Sequence, residues 1–359
     1  MTPATPLRVA LLGYGLGGRS FHAPLIAATS GLEVRTIVTS NAERAAAARR
    51  EHPQARIVDS ADHVWNTARD HDLAVITTPN RFHVPLARAA IASGIAVVVD
   101  KPMAATAAEA RELIAAAHSA RVPITAYQNR RWDGEILTAK RLIEDGVLGE
   151  VVRFESRLDR WRPTVPDAWR QSAVPEDAGG LLYDLGTHLI DQALLLFGPA
   201  THVYAELDRR RPGAAVDDDI FVALRHASGV RSHLWATALA AQPAMRLRVL
   251  GTRGAYTKQH ADVQEAWLRA GRHADERGFG VDPPEHWGEL SDGTEVRRIE
   301  TEKGDYRAFY ALVVPWLRDG APPPVNPDDA VAVLEIVEAA QRSAAQAKTT
   351  VLRSLTTMR

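Results

Sequence analysis

Up to about residue 127, short apolar runs alternate with alanine-rich stretches of helical character. "RVALLGYG", "EVRTIVTS", "ARIVDS", "LAVITTP", "IAVVVDKP" and "VPITAYQ" read as strands, each separated from the next by a helix. This alternation predicts a parallel sheet with crossover helices, and the continuously apolar runs suit strands covered on both faces. Beyond Arg130 the pattern changes. A helix in "EILTAKRLIEDGVLGE" leads into "VVRFESRLDRW", and later "HVYAELDRR", "DDIFVALRHA", "VRSHLWATAL" and "MRLRVLGTRG" read as successive strands joined by hairpin-like turns. They predict a largely antiparallel sheet. The stretch from about Thr257 to Gly304 reads as loop-rich, and two helices close the chain, one around Tyr306 to Arg318 and one after "APPPVNPDDA". The runs "RRRP" (209–212) and "VDDD" (216–219) read as a polar hairpin tip.

Between these regions "GGLLYDLGTHLIDQ" (Gly179 to Gln192) predicts a helix with two unlike faces. At about 100° per residue, Leu182, Leu185, Leu189, Ala193 and Leu196 share one side, while Asp184, His188 and Asp191 share another. The leucine side is a core face. The titratable side is either an ordinary solvated face or a catalytic acid/base pair, and Gly179 and Gly180 suit a close approach to the backbone.

Composition narrows the possibilities. A chain of 359 residues, 46% apolar and 24% charged, is long enough for two domains, expected at 1–127 and 128–359. Forty-three basic against forty-four acidic side chains leave a formal charge of -1, which recommends neither nucleic acid nor an anionic membrane as partner. The expected partners are a small molecule and further copies of the chain, as dimer or tetramer. With no cysteine there are no disulfides, cysteine nucleophiles or thiolate metal sites. The histidines lack zinc-ligand spacing, so no metal site is expected. The opening "MTPATPLRVALLGYG" has no charged segment followed by an apolar one, and no apolar run approaches the eighteen or so residues of a membrane span. A cytoplasmic location is the expectation. Only five lysines occur, Lys101, Lys140, Lys258, Lys303 and Lys348, so a lysine kept against an arginine-rich background is a candidate for lysine chemistry.

The most specific motif is Gly13-x-Gly15-x-x-Gly18 in "VALLGYGLGG", set between the first strand and a helix. The first glycine permits the tight turn, the second admits a pyrophosphate to the backbone, and the third lets the helix pack on the strand, with the helix N-terminus facing the phosphates. This predicts a Rossmann dinucleotide-binding domain. An NAD-preferring site carries an acid about twenty residues further on. Here Thr39, Ser40 and Asn41 stand there, with Arg44 one turn into the next helix. A missing carboxylate and a nearby arginine suit a 2′-phosphate, so NADP(H) is expected over NAD(H). "TPNRFH" (Thr78 to His83) and "DKP" (Asp100 to Pro102) end the fourth and fifth strands, where open α/β sheets hold ligands.

Taken in order, the glycine triplet, "TPN..H", "DKP", "YQNRRWD", "GGLLYDLGTHLIDQ" and "GDYRAFY...LRDGAPPPV" resemble the glucose-fructose oxidoreductase / inositol dehydrogenase (Gfo/Idh/MocA) family over nearly the whole chain. Three segments look closest to its NADP-dependent scyllo-inositol dehydrogenase branch. The resemblance implies a Rossmann domain followed by an α+β domain with a large, mainly antiparallel open sheet, and a catalytic set matching Lys101, Asp184 and His188. Asp100 replaces the family's usual glutamate. On this reading His188 exchanges the hydroxyl proton, Asp184 orients it and binds a neighbouring hydroxyl, and Lys101 stabilises the alkoxide. The expected cofactor contacts are Gly13, Gly15, Leu16, Gly18, Ser40, Arg44, Thr78, Pro79, Asn80, His83, Lys101 and Gln128. Arg130, Arg131, Asp159, Arg160 and Trp161, with Asp184 and His188, are expected to bind a polyol or sugar. Two alternatives stand beside this dehydrogenase: a non-catalytic dinucleotide-binding regulator, and an enzyme that recycles its cofactor within one turnover, as in glycoside cleavage or epimerisation.

Overall fold

The computed structural model describes residues 5–352. Residues 1–4 and 353–359 lie outside it, and with them the outer ends of both expected domains and the start of the segment on which the location was read. All six strands expected before residue 127 form: β1 (Leu7–Leu12), β2 (Leu32–Val38), β3 (Arg56–Val58), β4 (Leu73–Ile76), β5 (Ala96–Asp100) and β6 (Ile124–Tyr127). They pair in parallel in the order β3-β2-β1-β4-β5-β6. Val9 to Leu12, Leu73 to Ile76 and Val97 to Val99 are almost wholly buried, as expected of strands covered on both faces. The order reverses between β1 and β4, which makes their C-terminal ends the ligand-binding edge of such a sheet.

The second sheet comprises β7 (Val151–Arg157), β8 (Ala200–Asp208), β9 (Asp219–His226), β10 (Arg231–Thr237), β11 (Leu247–Gly251), β12 (Ala255–Lys258), β13 (Gly288–Ser291), β14 (Val296–Ile299) and β15 (Thr350–Val351). Its order is β14-β13-β12-β11-β7-β10-β9-β8-β15. Only the β7–β10 pair is parallel. Along β9 and β10 buried residues (Ile220, Val222, Leu224; Ser232, Leu234, Ala236) alternate with half-buried or exposed ones, so one face is packed and the other open. The segment read as loop-rich contains the end of β12, the helix Gln264–Arg269, β13 and β14. These elements are short, and "GELS" and "VRRI" are too polar to announce strands.

By their internal contacts the residues divide into two compact units. One holds the chain through Asn129 together with Gln264–Phe279 and Asp305–Val331; the other holds Arg130–Val263, Gly280–Gly304 and the chain from Ala332. A single cut after residue 127 does not separate them, because two later excursions return to the first unit. Buried side chains hold them there: the Tyr127 and Phe309 rings meet edge-on at 4.8 Å, Thr125 Oγ1 donates to the Val325 carbonyl, and Gln264 Oε1 accepts from the Tyr306 N–H. No pattern internal to the excursions encodes these contacts.

Candidate functional site

The turn after β1 tests the role of each glycine. Gly13 has φ +105°, and a Cβ on it would lie 2.7 Å from the Thr77 carbonyl oxygen. On Gly18 a Cβ would fall 2.1 Å from the Gly13 carbonyl oxygen, so packing of helix on strand demands glycine there. Gly15 differs: the nearest atom to such a Cβ is Arg44 Nη1 at 3.6 Å. The protein's own packing leaves room at Gly15, which fits a turn kept open for the close approach of a phosphate. Leu16 is 45% exposed at the rim. The chain then runs through π-type turns, Gly17–His22, into the α-helix Ala23–Ala27.

Arg44 stands over this turn from the helix Ala42–Glu51, with Ser40 exposed before it. Asn41 serves the helix instead, since its side chain accepts from the Arg44 N–H at 2.9 Å and caps the N-terminus. The phosphate turn is also tied to this helix's far end, where Glu51 accepts from Tyr14 at 2.7 Å and from Arg19.

Thr78, Pro79 and Asn80 follow β4 and Lys101 follows β5, its parallel neighbour, with Asn80 buried. His83 is also buried, its Nδ1 2.8 Å from the Pro102 carbonyl oxygen and its Nε2 2.9 Å from that of Thr78. Burial lowers its pKa against the opposing effects of Asp100 and these carbonyls. Its ring bridges the two strand-end loops, so its bearing on a ligand is through the loops it holds. Gln128, just past β6, is buried, and its Oε1 has no hydrogen-bond partner among the described residues. Asp100 accepts from the Lys101 N–H at 2.8 Å through Oδ1 and from Thr77 Oγ1 at 3.3 Å through Oδ2.

In the second unit, the helix expected to have two unlike faces is not a uniform α-helix. Leu182–Gly186 forms π-type turns and only Thr187–Phe197 is α-helical. The 100° wheel fails across that change, because π turns wind more slowly. The titratable side is largely withdrawn from solvent, with only Asp184 partly exposed. His188 and Asp191 are buried, while Leu195 is 37% exposed. Each carboxylate on the stripe meets arginine: Asp184 lies 3.3 Å from Arg170 and 3.7 Å from Arg160, and Asp191 takes Arg131 Nε at 2.9 Å and Nη2 at 2.6 Å. Burying these carboxylates without such partners would cost several kcal/mol. Gln192 anchors the same helix, donating to the Arg130 carbonyl at 2.9 Å and accepting from Arg246 at 3.2 Å.

The glycines before the helix are explained by protein, not ligand. A Cβ on Gly179 would lie 2.3 Å from the Ser172 carbonyl oxygen, and one on Gly180 2.3 Å from Asp217 Oδ1. Asp217 Oδ2 accepts the Leu182 N–H at 2.7 Å and holds the helix start. Burial raises its pKa to about 6, against the lowering effect of that backbone bond. The arginine and aspartate runs are therefore not a free polar tip. Arg211 and Asp218 form a buried pair at 2.8 Å, and Arg211 also donates to the Arg162 carbonyl and to Gln171 Oε1, stapling the loop that bears Arg170.

The expected substrate residues separate by role. Arg160 meets Asp184; Arg131 is committed to Asp191; and Arg130, buried, lies 3.4 Å from Asp133. Asp159, whose pKa burial raises against a bond from the Ala244 N–H, stands beside Trp161, which is 56% exposed. Sequence reasoning missed Thr77, Arg170 and Asp217. Nothing local marks them, since each owes its place to a partner distant in the chain. Lys258, as scarce a residue as Lys101, is wholly buried and bound to Asp282 and the His286 carbonyl, both at 2.6 Å. Among the described residues no group of His, Asp and Glu is placed to hold a metal, and no helix is long and apolar enough to cross a membrane.

Comparison with known proteins agrees with this architecture. Residues 7–128 match the NAD-binding Rossmann fold of the Gfo/Idh/MocA oxidoreductase family, and residues 140–352 match that family's C-terminal alpha/beta domain. The chain is 40% identical to the uncharacterized oxidoreductase YdgJ of Escherichia coli, covering 94% of this chain and 96% of that one. It is 33% identical to the scyllo-inositol 2-dehydrogenase (NADP(+)) IolW of Bacillus subtilis, over 96% of each chain. Among solved structures, yvaA from Bacillus subtilis superposes with a TM-score of 0.91 at 33% identity, covering 97% of this chain and 99% of that one. Both domains thus belong to one scheme, and the chain is a member of the Gfo/Idh/MocA family of oxidoreductases.

Proposed function

We propose that this oxidoreductase moves a hydride between NADP(H) and a secondary alcohol of a cyclitol or sugar, with scyllo-inositol and its ketone the first candidates. The observation that carries the reading is the presence in one chain of Lys101, delivered by β5 to the ligand-binding edge of a Rossmann sheet, and of a helix that keeps His188 buried between two arginine-compensated carboxylates. The nicotinamide, when bound, supplies the hydride acceptor or donor. Gly13, Gly15, Gly18, Thr78 and Asn80 hold the dinucleotide, and Arg44 beside Gly15 selects the 2′-phosphate. The NADP-dependence of IolW supports that preference.

The residues divide the work by chemistry. Alcohol oxidation needs a base for the hydroxyl proton, and imidazole titrates nearest neutrality. His188 takes that proton and returns it in the reverse direction. Asp184, fixed by Arg160 and Arg170, orients the imidazole and accepts from a neighbouring hydroxyl, and the Lys101 ammonium stabilises the alkoxide. The open face of the second sheet carries Tyr204, Phe221, His233 and Trp235 in ring contact, with Arg157 3.8 Å over Trp235, a surface suited to another copy of the chain.

The test mixes purified protein with NADP or NAD and a panel of inositol isomers and aldoses and follows nicotinamide absorbance. Reduction of NADP with scyllo- or myo-inositol is the expected result, and Lys101→Met should remove most turnover while leaving NADP(H) affinity nearly intact. Tight dinucleotide binding with no turnover of any polyol would overturn the assignment.

A further inference from the structure

A second polar cluster in the first unit takes no part in the proton and hydride chemistry assigned to Lys101, Asp184 and His188. His22, the last residue of the π-type turns after Gly17, is wholly buried. Its Nδ1 lies 2.5 Å from the Tyr310 hydroxyl and its Nε2 3.5 Å from Asp100 Oδ2. The second contact does not have hydrogen-bond geometry, so its pull is electrostatic, and Nε2 has no hydrogen-bond partner among the described residues. The ring rests against Tyr127, 4.2 Å between centroids, and Tyr127 donates to the Phe21 carbonyl at 2.9 Å.

Chemistry sets the direction of this chain. An ionised carboxylate only accepts, so the proton of a neutral His22 ring belongs on Nε2, and Nδ1 then accepts from Tyr310. Burial holds the Tyr310 phenol in its protonated form, well above its ordinary pKa. Tyr310 therefore donates to His22 Nδ1, and the protonated Nε2 is the atom set 3.5 Å from Asp100, whose hydrogen-bond donors are the Lys101 N–H and the Thr77 hydroxyl. The ionisable groups facing Asp100 are His22, His83, Lys101 and Tyr310. Burial alone would lift the Asp100 carboxyl, but the electrostatic pull of its surroundings, the His22 side chain first and then His83 and Lys101, outweighs it and holds its pKa at about 2.

We propose that His22, backed by Tyr310, is a positioning residue for Asp100 and Lys101: it keeps the Asp100 carboxylate charged and fixed, and the carboxylate in turn fixes the Lys101 backbone and sets a negative charge beside its ammonium. The role assigned to this set rests on the reading of Lys101 as the alkoxide stabiliser.

Asp100 itself reports the test. In full-length protein carrying ¹³C at aspartate carboxyls, its resonance is identified by its loss in Asp100→Asn and followed against pH without ligand. The wild-type carboxyl should stay ionised below pH of about 4; in His22→Phe, where the donor is gone and burial remains, the midpoint should rise into the range of about 4 to 7. His22→Gln, which retains an N–H donor, should keep the midpoint near the wild-type value. Should His22→Phe not fold, Tyr310→Phe removes a single oxygen, frees the ring orientation and should also raise the midpoint. In parallel, kcat/KM for polyol oxidation should gain an acidic limb at the new midpoint. An Asp100 midpoint unmoved in every folded variant overturns the proposal, and a moved midpoint with an unchanged profile in an active enzyme overturns the link to Lys101. A moved midpoint in a protein whose wild type turns over no polyol leaves the His22–Asp100 contact standing and removes the functional reading instead.

Discussion

Lys101 and Lys258 are both scarce residues at strand ends, but Lys258 is bound into a buried ion pair whereas our proposal assigns Lys101 to catalysis, and Lys258→Met separates the two. Lys258 is wholly buried and Asp282 is 5% exposed, with Nζ 2.6 Å from Oδ2 and 2.6 Å from the His286 carbonyl oxygen. Removing the ammonium strands a buried carboxylate and a carbonyl. Breaking such a pair from one side costs about 3–5 kcal/mol, whereas replacing both partners with apolar groups is often close to neutral. In a unit of this size each kcal/mol moves Tm by about 2–4 °C, so Lys258→Met should melt roughly 6–20 °C lower than wild type. Lys258→Met with Asp282→Leu should recover most of that loss. The assay is thermal unfolding by circular dichroism at one scan rate, with turnover per folded molecule measured well below the transition. That turnover should stay near wild type. A Tm drop of less than about 3 °C in the single variant, or a double variant as unstable as the single, would refute the claim that an uncompensated charge dominates.

Other expectations are simpler to read. Arg44→Ala removes a charge-assisted partner worth about 1.5–3 kcal/mol, so NADPH affinity should fall roughly 10- to 150-fold while NADH affinity stays put. Equal loss for both dinucleotides in a titration would show that Arg44 does not read the 2′-phosphate. Asp217 titrates near 6 in the folded protein and near 4 when unfolded, so the native state retains a proton that the unfolded state releases in between. Stability from this group is complete below about pH 4 and is lost as pH rises through about 6, by up to roughly 3 kcal/mol. Asp217→Asn should flatten that fall; parallel denaturation midpoints for the two proteins from pH 4 to 7 would contradict it. Gly18→Ala drives a methyl onto the Gly13 carbonyl, so dinucleotide binding should weaken at least tenfold by fluorescence titration, and unchanged affinity would mean the turn adjusts freely.

Local pattern determined the Rossmann half almost completely. Six apolar runs with intervening helices dictate a parallel sheet, and Gly13 and Gly18 declare their turn, one through its left-handed φ and the other through its close contact with the Gly13 carbonyl. Lys101 was legible as well, since the end of a buried strand fixes its position. The pattern also supplied the long strands of the second sheet, each of which carries enough apolar residues to announce itself. What tertiary structure alone decided is the fate of polar groups. The stripe of Asp184, His188 and Asp191 reads either as a solvated face or as an acid/base pair until Arg160, Arg170 and Arg131 arrive from other segments, and "RRRP" reads as a surface tip until Arg211 meets Asp218 in the interior. The excursions Gln264–Phe279 and Asp305–Val331 rejoin the first unit through contacts such as Tyr310 with His22, two residues separated by 288 positions. Hydrophobic periodicity records whether a residue faces the core, but a buried charge is tolerated only through its partner, and the partner's identity is written wherever the folded chain returns.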